Sequence, residues 1–250
     1  MLRTEDLTIS FGGHVAVDAV SCAFQPGSLT SIVGPNGAGK TTYFNLISGQ
    51  LRASAGRVLL GEHDITGLSA PARTHRGLGR AFQLTNLFPN LSVLENVRLA
   101  VQAKGGVGGN LWSMASAHGE LIDRARHYLE QVTLARSADV PAATLPHGDQ
   151  RKLEVAMLLA LEPQIFMFDE PTAGMSVDEV PVILDLIRAI KARGDRTILL
   201  VEHKMDVVRS LSDRIVVLHN GQLVADGLPA EVIASPIVQQ AYLGLGGEDD

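Results

Sequence analysis

One octapeptide constrains this chain more than any other stretch. Gly34-Pro35-Asn36-Gly37-Ala38-Gly39-Lys40-Thr41 has the form G-x-x-x-x-G-K-[ST]. It follows the apolar run Leu29–Val33 and opens the segment Gly39–Ser48, which reads as a helix. Glycines at 34, 37 and 39 let the backbone wrap a polyphosphate and turn its N–H groups inward. The helix that follows points the positive end of its dipole at the anion. Lys40 can then reach the terminal phosphates, and the Thr41 hydroxyl can ligate Mg²⁺.

A second acidic feature answers the loop. Ile165-Phe-Met-Phe-Asp169-Glu170 is a buried-strand pattern ending in two carboxylates. In doubly wound folds the carboxyl ends of the strands face the phosphate site. Asp169 is therefore expected to bind Mg²⁺, and Glu170 to polarise an attacking water.

The rest of the chain alternates strand and helix patterns. Strands are expected at 2–10, 16–23, 29–33, 56–60, 77–82, 165–168, 197–201, 215–218 and 222–225. Asn220-Gly221 between the last two predicts a type I′ hairpin. S-x-x-E capping boxes at Ser92/Glu95 and Ser176/Glu179 predict helices opening at those points, the second over 177–192. Further helices are expected at about 118–132 and 150–161, and Pro229 starts a last short one. Gly105, Gly106, Gly108 and Gly109 read as a flexible stretch. The fold expected is α/β, of P-loop type. It has a mixed, largely parallel sheet, an N-terminal antiparallel β portion and an inserted helical subdomain. Residues 1–86 and 151–244 would form the nucleotide-binding core, 87–150 the helical subdomain, and 245–250 a disordered tail.

Composition narrows the function. The 250 residues carry 21 basic and 27 acidic side chains, for a net charge of −6. No basic block stands out, which argues against nucleic acid as a partner. The longest uninterrupted apolar run, 155–161, is far short of a membrane span of about 20 residues. Glu5 and Asp6 stand where a signal peptide would be apolar. The single cysteine, Cys22, excludes an intrachain disulfide and fits a reducing compartment. The histidines are dispersed without metal-ligand spacing.

Four further motifs, in order along the chain, resemble those of ABC-type ATPases. Gln83 in Arg80-Ala-Phe-Gln83 is similar to the Q-loop glutamine. Leu145-Pro146-His147-Gly148-Asp149-Gln150 resembles the ABC signature, usually L-S-G-G-Q. Ala173-Gly-Met-Ser176 falls at the D-loop, and His203 in Val201-Glu-His203 at the switch histidine. Phe11 stands where the family sets an aromatic ring against adenine. The resemblance spans residues 2–244.

It implies ATP and Mg²⁺ as cofactors, with the nucleotide held by Phe11, Gly34, Pro35, Asn36, Gly37, Ala38, Gly39, Lys40, Thr41 and Thr42. Mg²⁺ would be held by Thr41, Gln83 and Asp169. Glu170, His203 and Gln83 would act in hydrolysis. Leu145, His147, Gly148, Asp149 and Gln150 would face ATP bound by a second such subunit, identical or not. Two departures stand out: Pro146 replaces the signature serine and removes a hydroxyl, and Ser176 replaces the D-loop aspartate.

The stretches Arg80–Asn96, Leu145–Glu154 and Val201–Val208 resemble most the ATP-binding subunits of bacterial branched-chain amino acid importers. Such subunits work with transmembrane permeases, and through them with a substrate-binding protein, on the cytoplasmic face of the inner membrane. Related subunits serve urea, short amides or lipopolysaccharide export. A soluble ABC ATPase, a GTPase or kinase, and a non-catalytic scaffold are the other classes. The acidic charge, the lack of an N-K-x-D-like stretch and the intact Lys40, Asp169, Glu170 and His203 argue against them. Phe88, Leu91 and Val93 are either insert core or a docking surface for the permease.

Overall fold

The computed structural model describes residues 1–81, 87–105 and 114–243, with side chains omitted for 114–118 and 241–243. Gln83, the 106–109 part of the glycine stretch and the 245–250 tail lie outside the described residues. The chain divides into two compact units.

The first unit takes residues 1–78, 164–170 and 190–250. It opens with β1 (Leu2–Phe11) and β2 (His14–Phe24), an antiparallel hairpin joined by Gly12-Gly13. β4 (Ala55–Leu60) pairs antiparallel with β1, and β5 (His63–Asp64) with β4, giving the order β2-β1-β4-β5. The second sheet of this unit is mainly parallel. β3 (Leu29–Val33) lies between β8 (Thr197–Val201) and β9 (Arg214–His219), parallel to both, and β7 (Ile165–Asp169) runs parallel on the far side of β8. β10 (Gln222–Gly227) turns back antiparallel on β9 through Asn220 and Gly221, both at positive φ, as a type I′ turn requires. Every residue of β3, β7 and β8 is buried, the continuous apolar pattern of strands covered on both faces. β6 (Leu78–Ala81) begins at the last residue of this unit's first stretch.

Helix α1 (Lys40–Ser48) packs Tyr43, Phe44, Leu46 and Ile47 into the core with Leu2, Phe24, Ile32, Met167 and Leu199. Its C-terminal end meets an unusual partner from α2 (Ala70–His75): Arg73, only 2% exposed. The Arg73 guanidinium donates to the carbonyls of Leu46 (2.7 Å), Ile47 (2.6 Å), Leu68 (3.1 Å) and Thr66 (2.7 Å). A cation at a helix C-terminus also complements the dipole. Burial lowers the pKa of this arginine, and Asp64 opposes the shift.

The second unit takes residues 79–163 and 171–189. It contains α3 (Val93–Gly105), α4 (Met114–Gln131), α5 (His147–Ala160) and most of α6 (Val180–Ala192). The first capping pattern forms by half: the Glu95 N–H donates to Ser92 Oγ at 3.1 Å, while the Glu95 carboxylate accepts from Arg98 Nε at 2.9 and 3.0 Å. The second behaves differently. Ser176 N and Oγ both donate to Glu179 Oε2, at 3.1 and 2.9 Å, so residues 176–179 make a turn and the helix opens at Val180 rather than Val177. Three short helices carry no strong sequence signal: α2, α7 (Met205–Leu211) and α9 (Pro236–Leu243) beyond α8 (Pro229–Ala234). No helix among the described residues is long and apolar enough to cross a membrane.

Candidate active site

Strand register assembles the site. Asp169 on β7 lies beside Val201 on β8, and Val201 beside Ile32 on β3. The residues just past these three form one rim: Gly34 after β3, Glu170 after β7, and Glu202-His203 after β8. This is the carboxyl edge of the parallel sheet, where ligands of open α/β folds bind.

The loop from β3 to α1 is shaped by glycine. Gly34, Gly37 and Gly39 all have positive φ. A Cβ on Gly34 would lie 2.1 Å from the Leu218 carbonyl oxygen, and one on Gly39 would lie 2.5 Å from that of Ala16. Lys40 is 5% exposed, and its ammonium donates to Gly34 O at 2.6 Å and Pro35 O at 2.9 Å. Two of its three hydrogens are thus used, and the third is left for a ligand. Burial lowers the Lys40 pKa, while Glu170 and then Asp169 hold it up.

Across the rim, Glu170 adopts φ +49, a left-handed conformation uncommon outside glycine, Asn and Asp. Its N–H donates to Val201 O at 2.9 Å, which locks the turn. Its Oε1 lies 2.8 Å from His203 Nε2. A carboxylate only accepts, so Nε2 carries the hydrogen in this contact. Asp169, one residue earlier, is buried at 7% exposure.

These groups line one cleft of about 380 Å³, within the usual size of a small-ligand site. Its walls are Phe11, His14, Ala16, residues 36–42, Glu170 and His203. The structure thus brings Phe11, Asn36, Gly37, Ala38, Gly39, Lys40, Thr41, Thr42, Glu170 and His203 to one cavity, with Gly34 and Pro35 behind Lys40. Leu145, His147, Gly148, Asp149 and Gln150 belong to the other unit, where His147–Gln150 open α5 and Leu145 precedes its N-cap. Pro146 is the N-cap of that helix and supplies no side-chain hydrogen bond. Its carbonyl accepts from Gln150 N at 2.9 Å. Sequence reasoning missed His14. A lone polar residue at the tip of a strand reads as surface, and only its place three residues after Phe11 could have drawn notice.

The sequence matches the family described as "ABC transporter" over residues 17–173, well over half of the chain. The chain belongs to the ABC transporter family. Within it, this is the nucleotide-binding component, an ATPase of P-loop α/β fold. It is 38% identical over 249 residues to the high-affinity branched-chain amino acid transport ATP-binding protein LivG of Escherichia coli strain K12, covering 98% of each chain. Among solved structures it resembles an ATP-binding cassette of an ABC transporter in its ADP conformation. That match has a TM-score of 0.81 at 31% identity and covers 98% of both chains. It also resembles a dimeric ATP-binding cassette in a post-hydrolysis state bound to ADP and Pi. There the TM-score is 0.80 at 26% identity, over 92% of this chain and 99% of that one.

Proposed function

We propose that this ABC ATPase drives an importer of branched-chain or related amino acids, working as a pair of subunits beneath permease subunits at the cytoplasmic face of the inner membrane. The full-length similarity to LivG supports the cargo class, and the dimeric relative supports pairing. A substrate-binding protein would be reached only through the permease.

The observation that carries the hydrolytic reading is the Glu170–His203 contact facing Lys40 and the glycine loop in one cleft. In this reading the loop N–H groups and Lys40 hold the β- and γ-phosphates of ATP. Glu170 accepts a proton from the attacking water. His203, released from Glu170, turns its Nε2–H to the γ-phosphate.

The residues fit Mg²⁺. Thr41 and Asp169 offer oxygen ligands, as this ion prefers, with Gln83 as a further candidate. Among the described residues no group of three or more His, Cys, Asp or Glu could hold a metal without help. That suits an ion shared with nucleotide phosphates rather than caged by protein. When bound, it would neutralise charge developing on the phosphates.

The 87–150 segment is the helical subdomain of this reading, and its residues Leu145–Gln150 would face ATP of the second subunit. Phe88 and Leu91 are exposed at 50% and 37% and are offered as permease contacts, whereas Val93 is fully buried and belongs to the core.

The test is Mg²⁺-dependent phosphate release by the wild-type chain beside Glu170→Gln, with mass followed in ATP. Hydrolysis by wild type, with a stable ATP-bound dimer of the variant, supports the reading. Unimpaired hydrolysis by Glu170→Gln would refute the assigned base. Amino acid uptake by vesicles holding the cognate permease then tests the cargo.

A further inference from the structure

The cleft has a phosphate end and a second end that the phosphate chemistry leaves unused. At the second end stand Phe11 and His14, on either side of the Gly12-Gly13 turn. They are directly opposed in the β1–β2 register. Directly opposed residues of an antiparallel pair project from the same face, with Cβ atoms roughly 5 Å apart. Both side chains are exposed, Phe11 to 49%. His14 makes no side-chain hydrogen bond to another described residue.

The hairpin is aimed at the cleft by an irregularity. Ile9 pairs with Val17 and Ser10 with Val15, so Ala16 is an extra residue on β2. A bulge of this kind bends a strand and redirects the side chains beyond it. Here the Ala16 carbonyl is the group that a Cβ on Gly39 would strike at 2.5 Å. The bulge therefore seats the strand against the start of α1 and carries the strand tip on past the phosphate loop. His14, two residues from Ala16, stands roughly 7 Å farther along the strand.

We infer that His14 is a nucleoside-positioning residue: its imidazole hydrogen-bonds the base or ribose of the nucleotide whose ring system rests on Phe11. This rests on the reading of the cleft as an ATP site. A triphosphate seated on the loop N–H groups and Lys40 must extend its nucleoside somewhere, and the bulged hairpin supplies the remaining wall. Phe11 offers a flat apolar face that stacks on any base. An imidazole adds one donor and one acceptor, the directional groups that stacking lacks. The ligand class is a purine nucleoside di- or triphosphate, and the contact acts equally on substrate and product. Its loss is therefore carried by KM rather than by kcat.

The experiment separates the two ends of the ligand. Binding of ADP and of inorganic tripolyphosphate, which has no nucleoside, is measured by calorimetry on the full chain for wild type, His14→Ala and His14→Asn. ATP kinetics are measured alongside. His14→Ala is expected to weaken ADP binding and raise the KM for ATP roughly threefold to tenfold, as one lost hydrogen bond would. Tripolyphosphate affinity should stay unchanged, and His14→Asn should recover part of the loss. Equal loss of ADP and tripolyphosphate would assign His14 to the frame of the site and overturn the inference. So would unaltered ADP binding by His14→Ala. A wild-type chain that binds tripolyphosphate but neither ADP nor ATP would overturn the ATP reading itself.

Discussion

Replacing Arg73 by Met should cost more stability than any change of surface charge, and the structure sets the scale. The guanidinium satisfies four carbonyls, those of Leu46, Ile47, Leu68 and Thr66. Leu46 O keeps a partner, the Gly49 N–H at 3.4 Å, so about three acceptors lose their donor. A buried polar group left unsatisfied costs about 1–3 kcal/mol. Against this, the fold no longer has to bury a charge, which recovers several kcal/mol of desolvation. Three such acceptors amount to about 3–9 kcal/mol, and the recovered desolvation leaves a net cost of about 3–5 kcal/mol. For a chain of this size each kcal/mol shifts Tm by about 2–4 °C, giving a fall of about 6–20 °C. Arg73→Lys should fall between, since one ammonium cannot span four carbonyls. The assay is calorimetric or circular-dichroism melting without nucleotide, with ATP binding measured well below the melt. A Tm within 3 °C of wild type for Arg73→Met would refute the reasoning. It would mean that those carbonyls find water or that the guanidinium contributes nothing net.

Other outcomes follow from the same geometry. Gly34→Ala should abolish nucleotide binding in equilibrium dialysis, since its Cβ would lie 2.1 Å from a backbone oxygen at a positive φ. His203→Ala should lower kcat about 10²-fold or more while ATP still binds, seen by single-turnover phosphate release. Pro146→Ser, which restores a hydroxyl at the N-cap of α5, should raise the ATPase rate or the ATP-bound dimer fraction in sedimentation. Burial pushes the Glu154 carboxyl up to about 7. The folded state then binds the proton more tightly than the unfolded one, so stability is lost as pH rises from about 4.5 through 7. Glu154→Gln should be the more stable protein at pH 8 in urea unfolding, with the gap closing by pH 5.

The phosphate loop, the acidic strand end and the strands of the parallel sheet were legible because each is fixed by local chemistry. Ile165–Phe168 and Ile198–Val201 are short continuous apolar runs, the pattern of strands buried on both faces. The glycines at 34, 37 and 39 stand where the backbone has positive φ. What escaped was one local turn and two features that depend on tertiary partners. The Ser176/Glu179 pattern predicts a helix from Val177, yet Glu179 takes both the N–H and the hydroxyl of Ser176, and the turn delays the helix to Val180. Arg73 falls in a stretch without a strong sequence signal. Its role exists only because α1 ends beside it. His14 needed a bulge at Ala16 to reach the cleft, and a bulge leaves no mark in a strand pattern.

The backbone at Glu170 carries a consequence for anyone who would stabilise this protein. Its φ of +49 suits glycine better than glutamate, and a non-glycine residue held there costs on the order of 1 kcal/mol or more. Glu170→Gly removes that cost and removes the carboxylate that meets His203. A search for thermostability that swaps positive-φ residues for glycine would thus include, beside harmless sites such as Ala19, a change that disables the cleft. The residue that fits the chain best here is not the residue the chemistry needs, and position 170 should be fixed before any such search begins.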